Sequence, residues 1–127
     1  MSVTAKFEIT AWDQAAYDEP AEGPPLGKAT ISKAYTGAFE GIGEVRMLAC
    51  QTGESPEDGA GYMAQERLTG TLEGRTGTFV LQHGAVGGPD GNNQYGFIVP
   101  GSATGELNGL TGTCVMQHGE LTLDYRL

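Results

Sequence analysis

The sequence predicts an all-β fold: an eight-stranded antiparallel up-and-down barrel, a single domain over residues 1–127, built from repeated hairpins. Three observations carry this. First, Thr69–Gly84 (TGTLEGRTGTFVLQHG) and Thr104–Gly119 (TGELNGLTGTCVMQHG) align without a gap at an offset of 35, identical at 11 of 16 positions. A looser copy begins at Thr36 (TGAFEGIGEVRML). Internal repetition of this kind marks a supersecondary unit used more than once. Second, 21 glycines and 6 prolines interrupt the chain every few residues, which leaves no helix-period stretch of length. Third, the first and last segments alternate cleanly: Val3, Ala5, Phe7 and Ile9 share one face, as do Leu121, Leu123, Tyr125 and Leu127.

Taken in order, the alternating segments predict strands at 3–11, 27–39, 42–51, 61–72, 77–83, 94–107, 113–118 and 120–127. The connections at 12–26, 52–60 and 84–93 are rich in Gly, Pro, Asp, Glu and Asn and read as long loops. Tight turns fall at Glu40-Gly41, Glu73-Gly74, Asn108-Gly109 and His118-Gly119. Asn-Gly is the strongest of these, because a type I′ turn needs positive φ at both central residues. The last strand is expected to close against the first, since a bare edge invites aggregation. An eight-stranded barrel either fills its interior with side chains or holds one small ligand.

Composition excludes several classes. With 16 acidic against 7 basic residues the formal charge is −9, and no basic stripe appears, so neither nucleic acid nor an anionic membrane surface is an expected partner. No charged leader with an apolar core and no long hydrophobic run is present, which points to a cytoplasmic location. Cys50 and Cys114 lie far apart within strand patterns and read as buried thiols rather than a disulfide. There is no phosphate-binding loop, no nucleophile elbow and no HExxH, so no cofactor is implied.

The candidates for chemistry come from strand parity. Tyr62, Ala64, Glu66 and Leu68 share a face, and a glutamate among apolar neighbours is costly to bury without a partner. Arg46 from the preceding strand, Arg67 by a backbone detour only, and the Tyr62 phenol are its candidate partners; a Glu66–Arg46 ion pair on the outer surface is the alternative. In a dry cavity such a carboxyl group can serve as acid or base. Glu66, Tyr62 and His83 are therefore the candidate catalytic residues. Phe79, Leu81 and His83 share one face, matched in the second copy by Cys114, Met116 and His118, while Gln82 lies on the other. Parity leaves open which face is interior. Together with Glu44 and Arg46, the residues Phe79, Leu81, Gln82, Cys114, Met116 and His118 are the candidate ligand contacts. The two QHG histidines would lie at one end of the barrel, roughly 10 Å apart across one intervening strand. That spacing, without local ligand patterning, assigns no metal site. The plain alternative is that each QHG marks a strand end.

The strings GYMAQERLTGTLEGRTGTFVLQHG, VPGSATGELNGLTG and LTLDYRL resemble an uncharacterised family of small bacterial proteins with an allene-oxide-cyclase-like barrel. The resemblance implies an eight-stranded barrel, a homo-oligomer and no assigned activity. Three functions follow as expectations: binding of a small apolar molecule, cofactor-independent cyclase or isomerase chemistry in the cavity, or a structural barrel with a filled interior.

Overall fold

The computed structural model describes residues 1–127. Eight strands form in chain order: β1 (Ser2–Asp18), β2 (Leu26–Gly37), β3 (Phe39–Gln51), β4 (Ala60–Leu72), β5 (Arg75–Gly88), β6 (Gly91–Ile98), β7 (Thr111–Gln117) and β8 (Glu120–Arg126). Each pairs antiparallel with its neighbours in sequence, and β8 returns to β1 through Ser2↔Asp124 to Lys6↔Glu120, which closes the ring. No helix is long and apolar enough to cross a membrane.

The boundaries differ from expectation in three places, each with a local cause. β1 continues past Ala11 to Asp18, because a register shift between Ile9 and Ala11 inserts an extra residue and pairing with β2 then resumes as far as Leu26. Such a bulge resets the two-residue period, so alternation alone ends the strand too early. The expected loop at 84–93 is instead the end of β5, a tight turn at Pro89-Asp90 and the start of β6. The expected strand at 94–107 stops at Ile98. Its second half is irregular and ends in a 3₁₀ turn at Gly105–Leu107. This segment lies along the edge of β5 that β6 leaves free: Val99 N donates to Val80 O at 2.9 Å, and Thr104 N to Thr78 O at 2.8 Å. Its side chains Ala103 and Leu107, with Leu110 just beyond, are buried under that end of the ring.

The interior divides into two apolar clusters with a polar layer between them. The larger holds 15 buried residues, among them Phe39, Leu68, Leu72, Phe79, Leu81, Leu107, Leu121 and Leu123. Aromatic rings run through it as Phe7, Tyr35, Phe39 and Phe79, with successive centroids 5.4, 5.4 and 5.7 Å apart, spacings at which edge-to-face pairs are attractive. The smaller cluster is Ala29, Ile31, Val45 and Ala64, with Met47 and Tyr62 against it. One half of the ring is therefore a filled core, as small barrels commonly are.

Candidate functional site

The buried polar residues of the ring are Lys33, Glu66 and His83. Glu66, on the inner face of β4, is 0% exposed. Lys33 Nζ, from β2, donates to its Oε1 at 3.1 Å, and the Tyr35 hydroxyl donates to Oε2 at 2.5 Å. The ammonium also stands 4.2 Å from the centre of the Phe7 ring and donates to Met116 Sδ at 3.6 Å. A charged amine inside a β ring is thus met by a carboxylate, an aromatic face and a polarisable sulfur. Room for the carboxylate comes from Gly43 on β3, where any Cβ would overlap Glu66 Oε2 and the Tyr35 ring.

Burial by itself raises the Glu66 pKa. The His83 imidazole, the Lys33 ammonium and the Tyr35 hydroxyl outweigh it and hold the carboxyl below its ordinary range. The Tyr35 phenol is driven far above its usual value, first by burial and then by the charge of Glu66. Lys33 and Glu66 form a buried ion pair of no net charge, joined by a charge-assisted hydrogen bond.

His83, on β5, is 6% exposed. Its Nδ1 is 3.0 Å from the Tyr62 hydroxyl, and its Nε2 has no hydrogen-bond partner. Nε2 lies 3.9 Å from Glu66 Oε1, beyond hydrogen-bond length but close enough for the carboxylate to act on it. With an anion on that side, the tautomer carrying its proton on Nε2 is favoured. Nδ1 then accepts the Tyr62 O–H. Carboxylate, imidazole and phenol stand in line. Burial disfavours ionisation of Tyr62, and of Cys114 as well, whose thiol is pushed up to about 12.

A cavity of about 260 Å³ adjoins this row, lined by Tyr62, His83, Tyr95, Gly96, Cys114 and Met116 among others. It opens where β6 and β7 part: the two strands share a single register pair, Phe97↔Thr113. A larger concavity of about 630 Å³ lies elsewhere, among Asp13, Lys28, Arg46, Leu48, Met63 and Gln82, and touches none of Lys33, Glu66 and His83.

The structure brings together Glu66, Tyr62, His83, Cys114 and Met116 of the residues singled out in the sequence. Phe79 and Leu81 are fully buried in the packed half. Glu44, Arg46 and Gln82 face outward: Glu44 accepts from Ser32 Oγ at 2.8 Å, and Gln82 Oε1 accepts from Gln65 Nε2 at 3.0 Å. Arg46 donates to the Val45 carbonyl at 3.0 Å and does not reach Glu66, so the expected pairing is corrected to Lys33 and Tyr35. His118 is exposed in the β7–β8 turn, far in character from the buried His83. Lys33 and Tyr35 escaped the sequence reading. Their signal was present: Ala29, Ile31, Lys33 and Tyr35 alternate on one face, and a lysine inside such a row needs an anion.

The chain is thus an all-β protein, eight antiparallel strands in a closed ring with an ion pair and an imidazole in its interior. The family described as "Protein of unknown function (DUF3224)" matches residues 3–127, and the chain belongs to it. A crystal structure of a DUF3224-family protein of unknown function from Shewanella oneidensis MR-1 is similar at a TM-score of 0.82 and 33% identity, over 98% of this chain and 93% of that one. Among curated proteins, none matches the chain.

Proposed function

We propose that the chain binds a small, mostly apolar molecule with one polar group in the cavity at the β6–β7 seam. The observation that carries this is the cavity wall itself, which sets the buried His83 imidazole and the Tyr62 hydroxyl bonded to it among Cys114, Met116 and Tyr95. Tyr62 and His83 would meet the ligand's polar group; Met116 and Cys114 would meet its apolar body. At about 260 Å³ the cavity suits a compact molecule, just under the usual range of roughly 300–1,000 Å³ for drug-sized ligands. The allene-oxide-cyclase likeness of the sequence belongs to this reading, with the ring as the ligand's container.

The test uses cyclohexanone and phenol as probes, followed by NMR of the Met116 methyl and the His83 ring. Both signals are expected to move, and Cys114→Phe, which fills the cavity, is expected to abolish the shifts. Movement confined to other residues, or none up to the solubility of either probe, would end the proposal.

The catalytic alternative is favoured by the order Glu66, His83, Tyr62. Tyr62 would take a proton from a carbon beside a carbonyl as its own proton passes to His83 Nδ1. The C–H electron pair would move into an enolate, and the imidazolium formed would face Glu66. Return of the proton to another carbon completes an isomerisation without a cofactor. Deuterium incorporation into cyclohexanone from D₂O should then exceed the buffer rate and fall to it in Tyr62→Phe. Equal rates in both proteins would leave binding alone.

A further inference from the structure

Charge is spread unevenly along this chain. It has 7 basic and 16 acidic residues, yet between Thr76 and Gly119 only Asp90 and Glu106 are charged. That span forms β5, β6 and β7 and the segment joining the last two. Asp90 sits at the tip of the β5–β6 hairpin, and Glu106 accepts from Thr76 N at 3.1 Å at one end of β5. The outer face between them is neutral, and it exposes Val86, Tyr95, Phe97 and Val115 at 67, 44, 52 and 44%. Met63 of β4, in register with Gly84, which in turn pairs with Tyr95, extends the same patch. Tyr95 and Phe97 lie side by side, their ring centres 6.5 Å apart.

One edge of β6 is open as well. Along Gly91–Gly96 the strand pairs with β5 on one side, and toward β7 its only register pair is Phe97↔Thr113. Edges of this kind are ordinarily guarded by charge or proline, and the sequence GNNQYG has neither.

We propose that a second copy of the chain packs on this β5–β6–β7 face and closes the mouth of the His83 cavity. The choice of occupant follows from the charge. A net charge of −9 makes copies repel, so they can meet only where no carboxylate has to be desolvated. Interface cores are depleted of charged residues and enriched in Tyr, Phe and Met, which describes this face; the other exposed aromatics, Trp12 and Tyr17, stand on β1 next in sequence to Asp13 and Asp18. A basic partner would be drawn to the acidic stretches at 13–22, the end of β1 and the turn after it, and 54–58 instead. Tyr95 and Val115 belong both to the exposed patch and to the cavity lining. Whatever covers the patch therefore covers the opening. This proposal stands apart from the ligand reading and survives if that reading fails.

Sedimentation velocity across a dilution series tests it on the intact chain. The wild type is expected to sediment as a dimer. Phe97→Glu and Val115→Lys, each placing a charge in the patch, are expected to sediment as monomers with unchanged circular dichroism. Ile42→Glu, at an exposed apolar position of β3 away from the sector, should leave the dimer intact. In a Cys50→Ser background, modification of the Cys114 thiol should be several-fold faster in the monomeric variants. A wild type that is monomeric at every concentration, or a dimer that persists in folded Val115→Lys, overturns the proposal.

Discussion

Glu66 shows what a carboxylate requires inside a β ring: a cation, a hydroxyl and a glycine opposite to make space, supplied here by Lys33, Tyr35 and Gly43. Removing one partner of such a pair leaves a bare buried charge. Lys33→Met should therefore cost about 3–5 kcal/mol in chemical denaturation, whereas Lys33→Met with Glu66→Leu should recover most of it. A double variant no more stable than the single one would mean that the pair contributes something other than charge compensation. The pH dependence has a definite sign. A carboxyl held below its ordinary value in the fold stabilises above its unfolded pKa of about 4.3, and that stabilisation is lost as pH falls through the folded value. Thermal stability should accordingly fall on acidification below about pH 4, and fall less steeply in the double variant. Burial of Glu66 was legible from its place between Ala64 and Leu68. Its partners were not, because they come from β2, and parity within one strand cannot say which diagonal neighbours meet across a closed ring.

At the scale of elements, the two QHG runs show how far repetition can be trusted. In β5 the strand continues five residues past His83 to Gly88, so the imidazole turns inward and is buried. In the second copy β7 ends at Gln117, and His118 occupies a turn at φ 46° with its ring in solvent. The strand-end reading thus holds for one copy and fails for the other. The upstream halves diverge too: Thr69–Leu72 completes β4, but Thr104–Leu107 folds into a 3₁₀ turn against β5. Local residues alike at three of four positions gave different elements because their neighbours differ; the first copy has β3 to pair with, and the second has only the free edge of β5, where Glu106 accepts from Thr76 N. A left-handed histidine is strained where glycine is not. His118→Gly is expected to raise stability by about 0.5–1 kcal/mol, which is a few degrees in the melting temperature. The same change should leave probe binding at His83 untouched. Lower stability would show that the His118 side chain holds the turn.

The ring as a whole is closed unevenly. From β1 to β6 the ladders are long, and β8 pairs with β1 over five positions, but β6 and β7 meet at one. There the wall is held by contact rather than by a ladder: a Cβ on Gly96 would overlap the carbonyl oxygen and the sulfur of Cys114. Regions with few backbone hydrogen bonds open at lower free energy than the rest of a fold. The cavity beside His83 therefore lies behind the weakest part of the wall, where the proposed ligand would enter without the ring coming apart. Gly96→Ala tests this. The added methyl group has to push the strands apart, at a cost of about 1–3 kcal/mol. In wild type, Cys114 should react slowly with a thiol reagent, since it is buried and its thiolate is scarce with a pKa near 12. In Gly96→Ala the rate should rise about tenfold for each 1.4 kcal/mol by which opening becomes easier. Amide exchange in β2–β4 should slow or quicken only with global stability, since those strands lie across the ring from the seam. If the substitution lowers the melting temperature and leaves Cys114 as unreactive as before, the seam is not the route to the interior, and entry must be sought from the larger concavity, which Met47 and Ala29 also line.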